Sequence, residues 1–287
     1  MGLDLHTHSV YSDGSLTPEE IIDAAINLGL SAISITDHDN VLAFDIAKEH
    51  AKKRSSETGK PMIEIVPGIE INTMLGKQEV HILGYYMNSA SKEMQELIVH
   101  QQHARIQQTI EIIKNLREVK IDIRLEDVTS LVKEGGSVGR PHIARAIVNV
   151  GGVSSMVEAY RKYISDNAPT YVKRKTVSPF EAVEIIYETG GIPVVAHPCD
   201  LTNGEDLIKE LMNYGLRGVE VYHRKHSPAV IEYYSSLAEK YKLIMTGGSD
   251  CHGPKANGQL VLGKTHVPDW VFTELKKEKN RLKIASN

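Results

Sequence analysis

The sequence has few cysteines, no long apolar run and no block of basic residues. Its 287 residues include two cysteines, Cys199 and Cys251, too few for a disulfide-stapled fold and typical of a reducing compartment. No apolar stretch approaches the ~20 residues that a membrane helix needs. Asp4 and His6 follow Met1 too closely for a secretory signal. These absences predict a cytoplasmic protein with no membrane segment.

The charge balance also lacks a dominant sign. Lys and Arg number 33 against 37 Asp and Glu, which gives a formal net charge of −4. This mild acidity, without a basic tail, argues against stable binding to duplex nucleic acid. Apolar residues make up 41% and charged residues 24%, the profile of an ordinary globular protein. The notable count is 13 histidines, which are placed unevenly.

Short β-branched segments alternate with amphipathic ones in the first and last thirds of the chain. This alternation indicates an α/β fold with a parallel sheet or barrel. Helices are predicted to begin at Thr17-Pro18 and Ser178-Pro179, where a capping residue precedes a proline. The predicted strands are 3–7, 31–36, 63–67, 80–85, 192–196, 217–222 and 243–247.

The middle of the chain has a different pattern. Residues 89–172 show few strand signals and a helical apolar period, and they are richer in Gln, Lys and Arg. We interpret this stretch as a helical insertion, or cap, within the βα repeat. Residues 1–88 would then form the first part of the barrel and residues 173–287 the second.

Metal-ligating residue types recur where the predicted strands end. His6 and His8 lie two apart on the first strand and therefore point to the same face. Because the carboxyl ends of parallel barrel strands meet at one mouth, these side chains should lie together and need cations to hold them. A single H-x-H or D-H-D motif is weak, but the ordered series predicts a site for Zn, Mn or Fe with more than one ion. The predicted ligands are His6, His8, Asp13, His38, Glu70, His81, His197, Asp250 and His252.

The order of these motifs resembles that of the PHP (polymerase and histidinol phosphatase) superfamily. The matching segments are D-L-H-T-H-S-x-x-S-D-G, I-T-D-H-D, P-G-I-E-I, V-H-I-L-G-Y, A-H-P and G-S-D-C-H. The resemblance implies a distorted (β/α)7 TIM-like barrel with two or three divalent ions. It implies one ion on His6, His8, Glu70 and Asp250, a second on Glu70, His81 and His197, and a third on Asp13, His38 and His252.

The helical insertion resembles that of one branch of this superfamily. Its segment G-R-P-H-I-A-R, residues 139–145, is similar to the branch that contains 3′,5′-nucleoside bisphosphate phosphatases and 5′–3′ exoribonucleases of short RNA. The implied substrate is a nucleoside 3′,5′-bisphosphate, which would lose its 3′-phosphate, or a 5′-phosphorylated short RNA end.

The expected chemistry is hydrolysis of a phosphate monoester by a metal-bound hydroxide. Glu70 and Asp250 would bridge the ions and activate the water, and Asp37, with Asp39, would orient ligating imidazoles from behind. Arg140, His142 and His223 would contact substrate phosphate.

Other functions fit parts of this pattern. Histidinol-phosphate hydrolysis differs only in substrate and is disfavoured by the insertion motif. A metal-dependent amidohydrolase also begins with H-x-H, but it usually bridges its metals with a modified lysine, whereas Glu70 takes that place here. A non-catalytic metal-binding module is disfavoured by the complete ligand set. The sequence does not indicate an oligomeric state.

Overall fold

A computed structural model describes residues 2–59 and 61–285, which form a mixed α/β fold. Its strands are β1 Gly2–Thr7, β2 Leu30–Ile35, β3 Glu64–Ile65, β4 Gly68–Leu75, β5 Gln78–Tyr85, β6 Ile192–Val195, β7 Gly218–His223 and β8 Ile244–Gly248. Its α-helices are α1 Pro18–Asn27, α2 Ala43–Thr58, α3 Lys92–Glu118, α4 Leu125–Thr129, α5 Arg140–Asn149, α6 Met156–Ala159, α7 Pro179–Glu188, α8 Gly204–Met212, α9 Pro228–Tyr241 and α10 Asp269–Ala285. A π-helical turn, Tyr160–Ile164, follows α6, and a 3₁₀ turn, Pro198–Asp200, follows β6.

The strands form two sheets, and one strand departs from the parallel arrangement expected from the sequence. The first sheet has the order β1-β2-β3 and is parallel. The second has the order β4-β5-β6-β7-β8, in which β5 runs antiparallel to both neighbours. The expectation of an entirely parallel arrangement is therefore wrong for β5.

β5 runs antiparallel because a hairpin joins it to β4, and the sequence pattern does not indicate this hairpin. Gly76, with φ of 60°, turns the chain between β4 and β5, a conformation that glycine adopts without strain. Glu70 was expected after a strand at 63–67, but only residues 64–65 pair there, and Glu70 lies inside β4. His81 consequently lies within β5, not at the carboxyl end of a parallel strand.

Bridges at both edges connect the two sheets. Thr7 pairs with Cys251 just beyond β8, and His38 pairs with Glu70 across the gap between β2 and β4. A Cβ atom on Gly68 would lie 2.2 Å from the Ser34 hydroxyl. Glycine is therefore required where β4 passes β2 so closely.

The helices begin where capping residues allow. Thr17 and Glu20 form a reciprocal capping box at α1, and Ser178 and Glu181 form another at α7. Both helices therefore begin as the sequence predicts.

Apolar side chains from both sheets pack under α1, α2, α7–α10 and the start of α3. Residues 112–164 contribute a further cluster of their own, centred on Ile112, Leu116, Ile123 and Ile147. In the described part of the chain, no helix is both long and apolar enough to span a bilayer.

Candidate metal centre

The structure brings all nine predicted ligands to one end of the two sheets. Three groups have potential ligand atoms within 4.8 Å of one another. The groups are His8, Asp13, His38 and His252; His6, His8 and Asp250; and His38, Glu70 and His81. His197 joins them through Glu70, since its Nε2 lies 3.2 Å from Glu70 Oε1.

Glu70 is the centre of the arrangement because each of its oxygens faces a different set of imidazoles. Oε2 lies 3.3 Å from His6 Nε2, 3.2 Å from His8 Nε2 and 3.0 Å from His38 Nδ1. Oε1 lies 2.8 Å from His81 Nδ1. Glu70 itself is fully buried. This geometry suits a carboxylate shared between two cations.

Two aspartates complete the cluster on opposite sides. Asp250 Oδ1 lies 3.3 Å from His8 Nε2 and 3.7 Å from His6 Nε2. Asp13 Oδ1 lies 3.2 Å from His252 Nε2 and 3.9 Å from His38 Nε2. His38 therefore presents one ring nitrogen to Asp13 and the other to Glu70, so it borders two of the implied ion positions.

Five potential metal-ligand atoms at the centre have no hydrogen-bond partners although they are buried. They are His6 Nε2, both ring nitrogens of His8, His38 Nδ1 and Glu70 Oε2. Buried polar atoms are normally hydrogen-bonded, because leaving one unpaired costs about 1–3 kcal/mol. Here three of the nitrogens, His6 Nε2, His8 Nε2 and His38 Nδ1, lie 3.0–3.3 Å from Glu70 Oε2 without hydrogen-bond geometry. Nitrogen and carboxylate donors arranged this way fit divalent transition-metal ions.

Electrostatics keep the acidic ligands ionised. Burial alone would raise the pKa of Glu70, but His38, His6 and His81 hold it well below its usual range. Burial opposes ionisation of Asp13 too, yet His252 and His38 hold its pKa well below the ordinary value. Negatively charged ligands are thus available to a cation at neutral pH.

The backbone turns sharply at three of the strand ends that carry these residues. Asp39, His197 and Asp250 have φ of 52°, 26° and 51°, in the left-handed region that residues with a Cβ rarely adopt. Such conformations persist where surrounding contacts enforce them, and they concentrate at functional sites.

Sequence reasoning missed Glu220, a fully buried residue of β7. Its Oε1 accepts from His6 Nδ1 at 2.9 Å, and its Oε2 accepts from the His197 backbone N–H at 2.8 Å. Burial opposes ionisation, but His6 lowers the Glu220 pKa to about 2. Because Nδ1 of His6 donates to Glu220, Nε2 is the ring nitrogen that faces the cluster. The available signal was a glutamate inside the apolar strand V-E-V-Y.

Asp37 and Asp39 occupy supporting positions that differ from those expected. Asp37 accepts from the Ser9 backbone N–H at 2.7 Å and from the Ser12 hydroxyl at 2.6 Å. Its hydrogen bonds thus hold the loop after β1 and do not reach an imidazole. Asp39 accepts from Arg105 Nε at 2.6 Å and so connects the centre to α3.

The three predicted phosphate contacts lie in different environments. Arg140 is at the mouth and pairs with Glu79 at 2.5 Å and with Asp166 at 2.7 Å. His142 accepts the Gly139 N–H through Nδ1 at 3.0 Å and so caps its own helix. His223 is buried, with Nε2 3.5 Å from Asp250 Oδ2.

A cleft of about 490 Å³ opens over the cluster. His38, Glu70 and His81 line it, together with the cationic side chains of Lys77, Arg140, Lys173 and Lys225. The acidic side chains of Glu79, Asp166 and Asp200 line it too and pair with Arg140 and Lys225. An anion could therefore approach the buried donors from one open side.

Known proteins resemble this chain in sequence and in fold. The family model described as "PHP domain" matches residues 4–171. The chain is 31% identical to the Escherichia coli 5′-3′ exoribonuclease Rnm, with 88% of this chain and 85% of the relative covered. It is 29% identical to the Chromobacterium violaceum 3′,5′-nucleoside bisphosphate phosphatase, with 90% of each covered.

A solved structure from Bifidobacterium adolescentis, described as a metal-dependent phosphoesterase, superimposes with a TM-score of 0.85 at 29% identity. That comparison covers 97% of this chain and 96% of the other. The resemblance found in the sequence is thereby confirmed, as is its likeness to the exoribonuclease and bisphosphate phosphatase branch. The chain belongs to the PHP domain family.

Proposed function

We propose that this protein hydrolyses a terminal phosphate ester of a nucleotide or a short RNA 5′ end, with two or three divalent ions held by the Glu70 cluster. The chain is a phosphoester hydrolase, and its substrate is the part proposed here. The preferred substrates are nucleoside 3′,5′-bisphosphates, losing the 3′-phosphate, and 5′-phosphorylated short RNA. The cytoplasm stays the predicted compartment.

One observation carries the proposal: buried nitrogen and carboxylate atoms without hydrogen-bond partners lie together beneath an open cleft. These atoms favour bound cations, and the cations, with the lysines and Arg140 that line the cleft, would attract an anionic substrate. A site that held metal only for stability would not need an open cleft above it.

The residues that would hold the ions are the nine that the sequence predicts, and Glu70 and Asp250 would each be available to more than one ion. Mn, Fe and Zn all suit this mixed donor set. Bound ions would supply Lewis-acid stabilisation of phosphate oxygens and lower the pKa of water. Glu220 would keep the imidazole of His6 and the backbone of His197 in place, so that the cluster is organised before ions arrive.

Residues that line the cleft would orient the substrate. Arg140 is half-buried, and its guanidinium Cζ lies 5.1 Å from the centre of the Tyr171 ring. A substrate phosphate would replace one of its carboxylate partners, Glu79 or Asp166, as a bidentate acceptor. His142 would support the helix start that carries Arg140, and His223 would contact the phosphate or leaving group from the Asp250 side.

The scaffold proposed for this chemistry is a distorted seven-stranded barrel with a helical cap. The two isolated bridges support this scaffold, because Thr7 on β1 pairs with Cys251 after β8, and His38 after β2 pairs with Glu70 on β4. The separate apolar cluster of residues 112–164 supports treating residues 89–172 as a cap.

Phosphate release from a substrate panel tests the proposal. Purified protein in Mn²⁺ should release phosphate from adenosine 3′,5′-bisphosphate with AMP as the product, and excess chelator should abolish the release. Histidinol phosphate, 5′-phosphorylated oligoribonucleotides and an aryl amide form the rest of the panel.

Each alternative has its own outcome. Turnover of histidinol phosphate alone would move the assignment to that substrate. Metal-dependent cleavage of the amide, without release of phosphate, would establish an amidohydrolase. Undiminished turnover in excess chelator would overturn the metal-dependent account.

A further inference from the structure

A second cleft, of about 670 Å³, adjoins the mouth of the metal centre. It lies between the end of β7 and the loop after β8, and it begins where Arg224 and Lys225 stand. Both residues also line the mouth, on the side of Asp13 and His252. The two spaces therefore share a wall, and a ligand held at the metal centre could extend from one into the other.

The second cleft is strongly cationic in a chain whose net charge is negative. Arg224, Lys225, Lys255 and Lys264 line it, and none of the lining residues is acidic. Arg224 lies 3.2 Å from Asp250 and Lys225 lies 2.9 Å from Asp200, so both are fixed at the shared wall.

Lys255 and Lys264 are exposed, and they line the second cleft but not the mouth. Within residues 2–59 and 61–285, neither of their ammonium groups lies within 4.0 Å of a carboxylate. Positive charge without an internal counter-ion attracts anionic ligands.

Apolar side chains stand among the cations. Tyr222, Ile231 and Val261 line the same cleft. An inorganic anion would gain nothing from them, whereas bases and riboses pack on such surfaces while lysines contact the backbone phosphates. Cations interleaved with apolar and aromatic groups are typical of tracks for single-stranded nucleic acid.

We propose that this cleft binds the phosphodiester backbone of a single-stranded RNA whose 5′-terminal nucleotide occupies the metal centre. The inference rests on the proposed function and deepens it, because it gives the RNA substrate a binding surface beyond the residues that line the mouth. Arg224 and Lys225 contact the phosphate nearest the mouth, and the two free lysines contact later phosphates.

Direct binding without added metal tests this cleft independently of turnover. Fluorescence anisotropy in EDTA would follow a 5′-phosphorylated, 3′-labelled six-nucleotide RNA on the wild type and on the Lys255→Ala/Lys264→Ala variant. Removing two phosphate contacts should weaken binding on the order of tenfold at low salt. It should also reduce the slope of log K against log salt by about 1.4, at about 0.7 per contact on a single strand.

Lys52→Ala/Lys114→Ala is the matched control, since it removes two exposed lysines on α2 and α3 and should leave binding unchanged. Hydrolysis of adenosine 3′,5′-bisphosphate in Mn²⁺ should be equal in all three proteins.

Unchanged RNA affinity and salt slope in the Lys255/Lys264 variant would overturn the inference. An equal loss of RNA affinity and of bisphosphate turnover would also overturn it, because the lysines would then act at the metal centre. Failure of the wild type to hydrolyse any phosphate ester would instead refute the proposed function, while the anisotropy result still decides the cleft.

Discussion

At the scale of single residues, the candidate metal centre depends on the predicted ligands and equally on the side chains that hydrogen-bond to them, such as Glu220. His6 and His8 could be placed on one face from strand alternation alone, because side chains two apart share a face. Glu220 could not, because one glutamate in a short apolar strand has the same pattern as an outward-facing polar position. Its role is evident only from its hydrogen bonds to His6 on β1 and to the His197 backbone after β6, and both contacts are between residues distant in the chain.

Glu220→Gln should weaken metal binding without unfolding the protein. The glutamine oxygen can accept from only one of the two donors, and its NH₂ group then faces the other. We expect a 10- to 100-fold loss of Mn²⁺ affinity, the usual cost of removing a ligand's supporting partner. Titration of Mn²⁺ measures this, and circular dichroism checks the fold. Wild-type affinity in a folded variant would contradict the positioning role.

Arg140→Ala should weaken binding of substrates that carry a second phosphate more than binding of substrates that carry one. Arg140 stands at the cleft and can exchange a carboxylate partner for a phosphate. The KM for adenosine 3′,5′-bisphosphate should therefore rise about tenfold or more, while that for an aryl phosphate changes little. Steady-state kinetics on both substrates check this. An equal rise for both would argue against specific recognition by Arg140.

At the scale of elements, helix starts were predictable and strand pairing was not. The capping residues Thr17 and Ser178 act within one turn of chain, so local sequence suffices to place α1 and α7. The sequence pattern does not indicate β4, because its pairing with β5 depends on a two-residue hairpin loop, Gly76-Lys77. The Asp39–Arg105 contact joins residues 66 apart in the chain, and no local pattern indicates it.

Arg105→Met should destabilise the attachment of α3 to the metal centre. Arg105 and Asp39 are both buried, and Arg105 also donates to the Val138 carbonyl and to Asn72 Oδ1. Removing one partner of a buried ion pair costs about 3–5 kcal/mol. Arg174 still contacts Asp39 at 3.3 Å, so we expect the lower end, about 3 kcal/mol.

Urea unfolding of this variant gives the free energy directly. Arg161→Met, at an exposed position, serves as the control and should change stability by less than about 0.5 kcal/mol. A loss in Arg105→Met no larger than in the control would show that the buried pair does not stabilise the fold.

At the scale of the whole molecule, the motif order was enough to predict the family and the clustering of nine candidate ligands. It was not enough to predict the antiparallel β5 or the way bridges connect two sheets. Those features depend on close approaches, such as that permitted by Gly68, which exist only in three dimensions. The residues of the cluster could be predicted because His, Asp and Glu recur near the ends of predicted strands, although Glu70 and His81 lie within β4 and β5. The cleft beyond Arg224 could not be predicted, since its lysines are scattered in the sequence.

Removal of divalent ions should lower the stability of the whole molecule. Ions that bind only the folded state add about 2.7 kcal/mol at a concentration 100 times Kd. For a chain of this size, the melting temperature should fall by roughly 5 °C or more in chelator. Differential scanning fluorimetry with and without EDTA measures the shift. An identical melting temperature in both conditions would contradict metal binding by the folded cluster.

The most direct test of the central claim is the number of Mn²⁺ ions that remain on the chain after loading and gel filtration. If Glu70 is shared between cations, the wild type should retain two or three ions per chain. Glu70→Gln should then retain at least one fewer, whereas Glu118→Gln, at an exposed position on α3, should match the wild type. Equal ion counts in wild type and Glu70→Gln, or no retained ion in the wild type, would contradict the account.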